Sequence, residues 1–183
     1  MGQCATIYRI DKNEIPKFSN SLEDLNILEL AKSYEIFSKS FDGLIFVLSK
    51  NLDQANKELI EQIFYPKKYF GDLPDYSKID FENLSDNLPE ELLREPNIIL
   101  YNAPAVVSEI YELLDGISIE NFIANFDHNE LNRHDIYPSG IWNNKTEENT
   151  AFNIQHMAIE FEKLKSFYKQ ASESYDYVLS YVG

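Results

Sequence analysis

Apolar positions recur with two different periods along this chain. Ile154, Met157, Ala158, Phe161, Leu164, Tyr168 and Ala171 return at spacings of three and four, which puts them on one face of a helix. The spacing predicts a long helix over 147–171, with Asn144 as its N-cap and Glu147 at the third position returning the capping bond. The period then switches to two. Tyr175, Tyr177, Leu179 and Tyr181 alternate with Asp176, Val178, Ser180 and Val182, which predicts a final strand over 175–182. This helix and strand form the expected spine of the fold.

The same two periods mark out the rest of the chain. Ala5 to Ile10 reads as a strand, followed by a turn at Asp11–Asn13 and a short helical piece over 14–19 with Pro16 in its first turn. Asn20 or Ser21 caps a second helix, with Leu22, Leu25, Ile27 and Leu28 facing inward. A short bridging strand is expected at Tyr34–Phe37. Ser38 then caps a helix from Lys39 to about Ser49, with Phe41, Leu44, Ile45 and Leu48 as its stripe. Gly43 inside that helix costs about 1 kcal/mol of propensity, so a close approach to another backbone is expected there. Asp53 caps a further helix, with Ala55, Leu59, Ile60 and Ile63 inward, ending before Pro66.

From Tyr65 to Pro96 four prolines and an excess of acids predict an excursion of loops and short turns, tethered by Tyr69, Phe70, Tyr76, Ile79 and Phe81. Asn97–Tyr101 reads as a strand. Pro104 opens a helix to Leu114 that Gly116 closes. Ser118 caps a short helix to Phe126, with Phe122 and Ile123 inward, and Asp127 caps another turn through Asn132. Asp135 to Trp142 reads as an extended aromatic loop. Together these predict an α+β fold: a small mixed or antiparallel sheet packed against several helices, with a long C-terminal helix and a final strand, in a single domain spanning 1–183.

Charge narrows the partners. Sixteen Lys and Arg stand against 31 Asp and Glu, a net charge of −15. Nucleic acid and anionic membrane surfaces both demand concentrated basic residues, so neither is expected. A basic protein or a metal cation is the kind of partner such a field attracts. A single cysteine, Cys4, forms no internal disulfide and reads as a small apolar residue in the first strand. The start, Met1-Gly2-Gln3-Cys4, carries no basic region followed by an apolar run, and no window reaches the length of a membrane span, so the cytoplasm is the expected location.

Several stretches resemble the YfbM-like family, a bacterial family of domains of unknown function. They are the opening Met1-Gly2 with its strand, the run Ser38-Lys39-Ser40-Phe41-Asp42-Gly43-Leu44-Ile45-Phe46-Val47-Leu48, the pair Asp135-Ile136-Tyr137-Pro138 and Ile141-Trp142, and the closing helix and strand. Phe41 stands where the family usually has Trp, and 53–96 matches poorly. The resemblance implies an α+β fold and supplies no catalytic residues.

Candidate chemistry is sparse. Asp127, His128, His134, Asp135 and Tyr137 form the densest polar constellation, and His and carboxylate are the usual zinc ligands. Two histidines six residues apart do not share one helix face, and the spacing fits no standard zinc motif. No Gly-rich phosphate loop and no nucleophile elbow occurs, since Ser139-Gly140 lacks the leading Gly. His156, beside Met157, reads as a flank residue of the core. Asp42 offsets a helix dipole in its first turn or faces a ligand, while Tyr137 and Trp142 lock a loop or supply a binding surface. The expected function is therefore a non-enzymatic binding or interaction module, immunity-type in its concrete form, with no cofactor, metal or catalytic residue. Its partner or ligand surface is expected among Asp42, His128, His134, Asp135, Tyr137 and Trp142. The competing expectations are a small metal-dependent or hydrolytic enzyme using His128, His134 and Asp135, and a structural homo-oligomer.

Overall fold

A computed structural model describes residues 2–18, 22, 25–73, 97–147 and 150–183. The first strand, β1 (Cys4–Ile10), leads through two single-turn helices, α1 (Ile15–Phe18) and α2 (Ile27–Leu30), into β2 (Ala31–Ser38). Helices α3 (Phe41–Leu48) and α4 (Gln54–Glu61) follow, then β3 (Lys68–Asp72) and β4 (Asn97–Asn102). Next come α5 (Pro104–Asp115), α6 (Ile119–Asn125), α7 (His128–Arg133), the long α8 (Ile154–Glu173) and β5 (Tyr177–Val182). The expected α+β class holds, with the described strands forming one antiparallel sheet of five in the order β2-β1-β5-β4-β3.

Alternation gives the sheet two working faces. Ala5, Ile7, Phe37 and Val178 point into the main core, where they meet Met157, Phe161, Leu164, Tyr168 and Ala171 of α8. Phe122 of α6 stacks on Phe161 with centroids 4.6 Å apart and planes 8° from parallel. Ile10 and Leu179 point the other way, into a smaller cluster closed by Phe18 of α1. The apolar stripe read from α8 is the face that builds the main core, and Gln170 on its outer side reaches Arg9 Nη1 at 2.7 Å.

Where local caps decide, the structure matches the expectation. The Asp53 side chain accepts from the Asn56 N–H, Ser118 from Asn121, and Asp127 from Asn129 and Glu130. Pro104 opens α5 and Gly116 caps its end.

Four boundaries move for tertiary reasons. Ser38 does not cap α3: it still pairs with Cys4 in the β1–β2 ladder. Lys39 then takes a left-handed φ of 61°, and Ser40 becomes the N-cap position. The expected Tyr34–Phe37 bridge is thereby a full strand over Ala31–Ser38. The long helix begins at Ile154, not Glu147, because Asn153 rather than Asn144 caps it, accepting from the His156 N–H at 2.9 Å. Asn143 donates to the Ala151 carbonyl at 3.0 Å and Asn153 to the Lys145 carbonyl at 2.7 Å. These bonds draw the described residues 143–147 and 150–153 together ahead of α8. Tyr175 has φ 53° and reverses the chain, so the last strand starts at Tyr177.

Other expectations are corrected singly. Part of the acidic excursion, Lys68–Asp72, is a strand paired with β4; residues 74–96 lie outside the described residues, as does the proposed cap at Asn20 or Ser21. The helix expected around Leu22–Leu28 is one turn, Ile27–Leu30, and Leu28 and Ile123 are exposed rather than inward. Cys4 is half-buried, with Sγ 3.7 Å from the Ser38 hydroxyl.

One polar network is buried at the sheet's end. Arg9 donates to Asp176 Oδ2 through Nε at 3.2 Å and Nη2 at 2.9 Å, and Lys32 reaches Asp176 Oδ1 at 2.7 Å and Asp11 at 2.8 Å. Asp176 is 1% exposed, so these donors are what make its charge tolerable there.

Candidate functional site

The N-terminal end of α3 is where the sequence signals converge. Gly43 allows the Trp142 indole to lie against the helix: a Cβ added at Gly43 would sit 2.2 Å from the indole ring. The close approach expected at Gly43 is therefore to a side chain, not to a backbone. The indole N–H donates to the Ile136 carbonyl at 2.9 Å, and Phe152 meets the ring edge to face. Trp142 is 3% exposed. It is a core residue that pins the 135–142 loop onto α3, which corrects its expected place on a partner surface. Tyr137 lies in the same loop, after Ile136 and before a cis Pro138. Its ring packs 6.1 Å from that of Phe41, and its hydroxyl accepts from the Gln3 N–H at 2.8 Å.

One residue along from Phe41, Asp42 faces a cleft of about 330 Å³ between α3 and α4, bounded also by Ile45, Glu58, Glu61, Tyr65 and Lys67. Spacings of three and four carry Glu58, Glu61, Gln62 and Tyr65 to one side of α4 and its continuation. The Tyr65 hydroxyl donates to Asp42 Oδ1 at 3.4 Å. Partial burial pushes the Asp42 carboxyl above its usual range, and the Tyr65 hydrogen bond only partly offsets this. Burial first, and then the Asp42 charge, push the Tyr65 phenol up to about 12, so it stays a neutral donor at physiological pH. Lys67 is the cation of the cleft, and it is held by Glu58 at 2.6 Å. Among the described residues no cation pairs with Asp42.

The remaining candidates do not join this cleft. His128 opens α7, beside the Asp127 cap. His134 ends the same helix and packs on Phe46, 5.6 Å between ring centroids. Asp135, at φ 52°, accepts from the Ser139 hydroxyl at 3.0 Å. Among the described residues no three His, Cys, Asp or Glu side chains are grouped so that they could hold a metal ion. The geometry thus gives no support to the metal-dependent reading of His128, His134 and Asp135.

The structure adds Glu58, Glu61, Tyr65 and Lys67 to the candidate set. Their sequence signal was a polar stripe at helical spacing, which reads equally as a solvated face.

His156 has a structural task. Its Nδ1 accepts from the Phe152 N–H at 3.2 Å while its own N–H donates to Asn153. Burial lowers its pKa from 6.5, with Glu160 opposing and Lys163 adding to the shift. A lowered folded-state value means the unfolded chain binds the proton more readily. The stabilisation is whole above pH 6.5 and is lost as the pH falls through the lowered value. Thermal midpoints measured from pH 7.5 to 5 are expected to fall more for the native chain than for His156→Gln.

Comparison with known proteins places the chain. Residues 86–181 match the family model described as Domain of unknown function (DUF1877). That is over half of the chain, which belongs to this family. The crystal structure of YfbM from Escherichia coli, a protein of unknown function, superposes with a TM-score of 0.60 at 15% identity, covering 98% of this chain and 99% of that one. The likeness shows a shared fold. None of the curated proteins compared with the chain matches it. Tyr137, Trp142 and α8 lie inside the family match, and Asp42 with its cleft lies before it. Among the described residues no helix is long and apolar enough to cross a membrane.

Proposed function

We propose that this chain is a non-enzymatic, cytoplasmic interaction module that binds a basic protein, as an immunity-type protein binds its toxin, and that the Asp42 cleft receives a cationic side chain of that partner. The observation carrying the reading is the state of Asp42. Its half-buried carboxylate has a neutral phenol as hydrogen-bond donor and, among the described residues, no cation beside it. An incoming guanidinium or ammonium supplies the charge that this carboxylate lacks. The net charge of −15 steers such a partner and disfavours nucleic acid or an anionic membrane.

Asp42→Asn separates binding from stability. The raised pKa means that the charged form is disfavoured by folding, so stability rises as the pH falls through that value and is reduced above it. Removing the charge is expected to raise the unfolding midpoint at pH 7. The same substitution is expected to weaken hexa-arginine amide, titrated calorimetrically in low salt, by roughly tenfold, the equivalent of about 1.4 kcal/mol. Equal binding by the native chain and by the Asp42→Asn variant would remove the cleft from the account.

A further inference from the structure

The Asp42 cleft has an apolar neighbour. Strand β4 pairs with β5 only over Leu100–Asn102 against Ser180–Val178, although β5 pairs with β1 along Tyr177–Val182 and β4 pairs with β3 along Asn97–Tyr101. Beyond Leu100 and Ser180 the two strands are no longer paired, and a cavity of about 270 Å³ opens beside Ile98, Ile99, Tyr181 and Val182. Its walls are mostly apolar side chains, with Leu179 and Tyr8 among them. Tyr65 lines this cavity and the Asp42 cleft alike. The Tyr65 phenol is therefore the wall between the apolar cavity and the Asp42 cleft, whose carboxylate has no cation beside it among the described residues.

The face of the sheet turned away from α3 and α4 carries exposed apolar side chains beside the cavity. By register Thr6 lies between Ile36 and Tyr181, and Tyr8 lies between Tyr34 and Leu179. The Tyr8 and Tyr34 rings are 6.0 Å apart. Tyr34 is 50% exposed, Ile36 47% and Tyr181 65%.

We infer that the two compartments together read a two-residue feature of the basic partner: a cationic side chain at Asp42 beside a large apolar side chain in the cavity between β4 and β5. This rests on the proposed binding of a basic protein and narrows its chemistry. Charge complementarity selects the cation at Asp42. The shared wall at Tyr65 lets one segment of the partner supply both groups. A cation alone leaves the apolar compartment unused, and an acid in place of the cation is repelled by Asp42.

The test uses the full chain and three capped probes, Gly-Arg-Trp-Gly, Gly-Arg-Gly-Gly and Gly-Glu-Trp-Gly amides, titrated calorimetrically in low salt. The Arg-Trp probe is expected to bind about tenfold more tightly than the Arg-Gly probe, since burying part of an indole is worth that much. The Glu-Trp probe is expected not to bind. Tyr181→Ala, at an exposed position that leaves the core intact, is expected to lower Arg-Trp affinity about fivefold and to leave Arg-Gly affinity unchanged. Asp42→Asn is expected to weaken both arginine probes. Equal binding of the two arginine probes, with no effect of Tyr181→Ala, would overturn the two-compartment inference and leave the acidic-cleft reading standing. Failure of both arginine probes to bind the native chain, or indifference of both to Asp42→Asn, would overturn that reading and this inference with it.

Discussion

Replacing Trp142 by alanine is expected to destabilise the fold by about 3–5 kcal/mol, the range for deleting a large aromatic side chain from a packed core. Three independent contacts put it there. The indole lies against Gly43 at a distance that a methyl group would not allow. Its N–H donates to the Ile136 carbonyl. Phe126 and Phe152 meet it edge-on, at 6.5 and 5.7 Å between centroids. The loss removes the pin between the 135–142 loop and α3, so the Tyr137 contact with Phe41 loosens with it. Urea unfolding measures the change, and a variant within about 1 kcal/mol of the native chain would show that the loop does not depend on the indole. Gly43→Ala tests the same contact from the other side: alanine's helix propensity favours the variant, and the clash with the ring opposes it more strongly.

Asp176→Ala is expected to cost a similar amount, about 3–5 kcal/mol, because it leaves Arg9 buried without its counter-charge. Arg9 keeps bonds to Gln170 and the Ser174 hydroxyl, which satisfy donors but supply no negative charge. Lys32 falls back on Asp11, at the surface. The double variant Arg9→Met with Asp176→Leu is expected to recover most of the loss, since an apolar pair of similar volume removes both desolvated charges. Recovery in the double variant, read beside the single one by urea unfolding, separates an unpaired charge from a simple loss of packing. A double variant as unstable as Asp176→Ala would assign the cost to packing.

Local signals made much of this fold legible in the sequence. Asp53, Ser118 and Asp127 each cap a helix through the backbone within three residues of themselves, and Pro104 opens one, so no tertiary knowledge was needed to place α4 to α7. The apolar stripe of α8 was legible for the same reason. Its start was not, because two asparagines competed for the cap and the winner, Asn153, is fixed by a bond to Lys145 across the loop. Ser38 looked like a cap until its strand was extended by pairing with Cys4. The strand Lys68–Asp72 was hidden, since an edge strand beside β4 needs little apolar pattern of its own.

The candidate site was half legible. Asp42 was singled out from its place in a helix start. Its neighbours Glu58, Glu61, Tyr65 and Lys67 come from the next helix and the chain after it, so nothing near Asp42 in sequence announces them. Trp142 and Tyr137 read in sequence as either a locked loop or a binding surface, and burial places the indole in the core. The histidines at 128 and 134 looked like a pair only because they are close in sequence, and α7 carries them to different neighbours.

The most direct measurement is affinity capture from lysate of the source cells with the native chain and Asp42→Asn side by side, at low and high salt, read by mass spectrometry. The expected result is a basic protein retained by the native chain at low salt, released at high salt, and depleted on the variant. The same proteins captured by both chains, or a retained partner indifferent to salt, would contradict a cation-receiving cleft at Asp42.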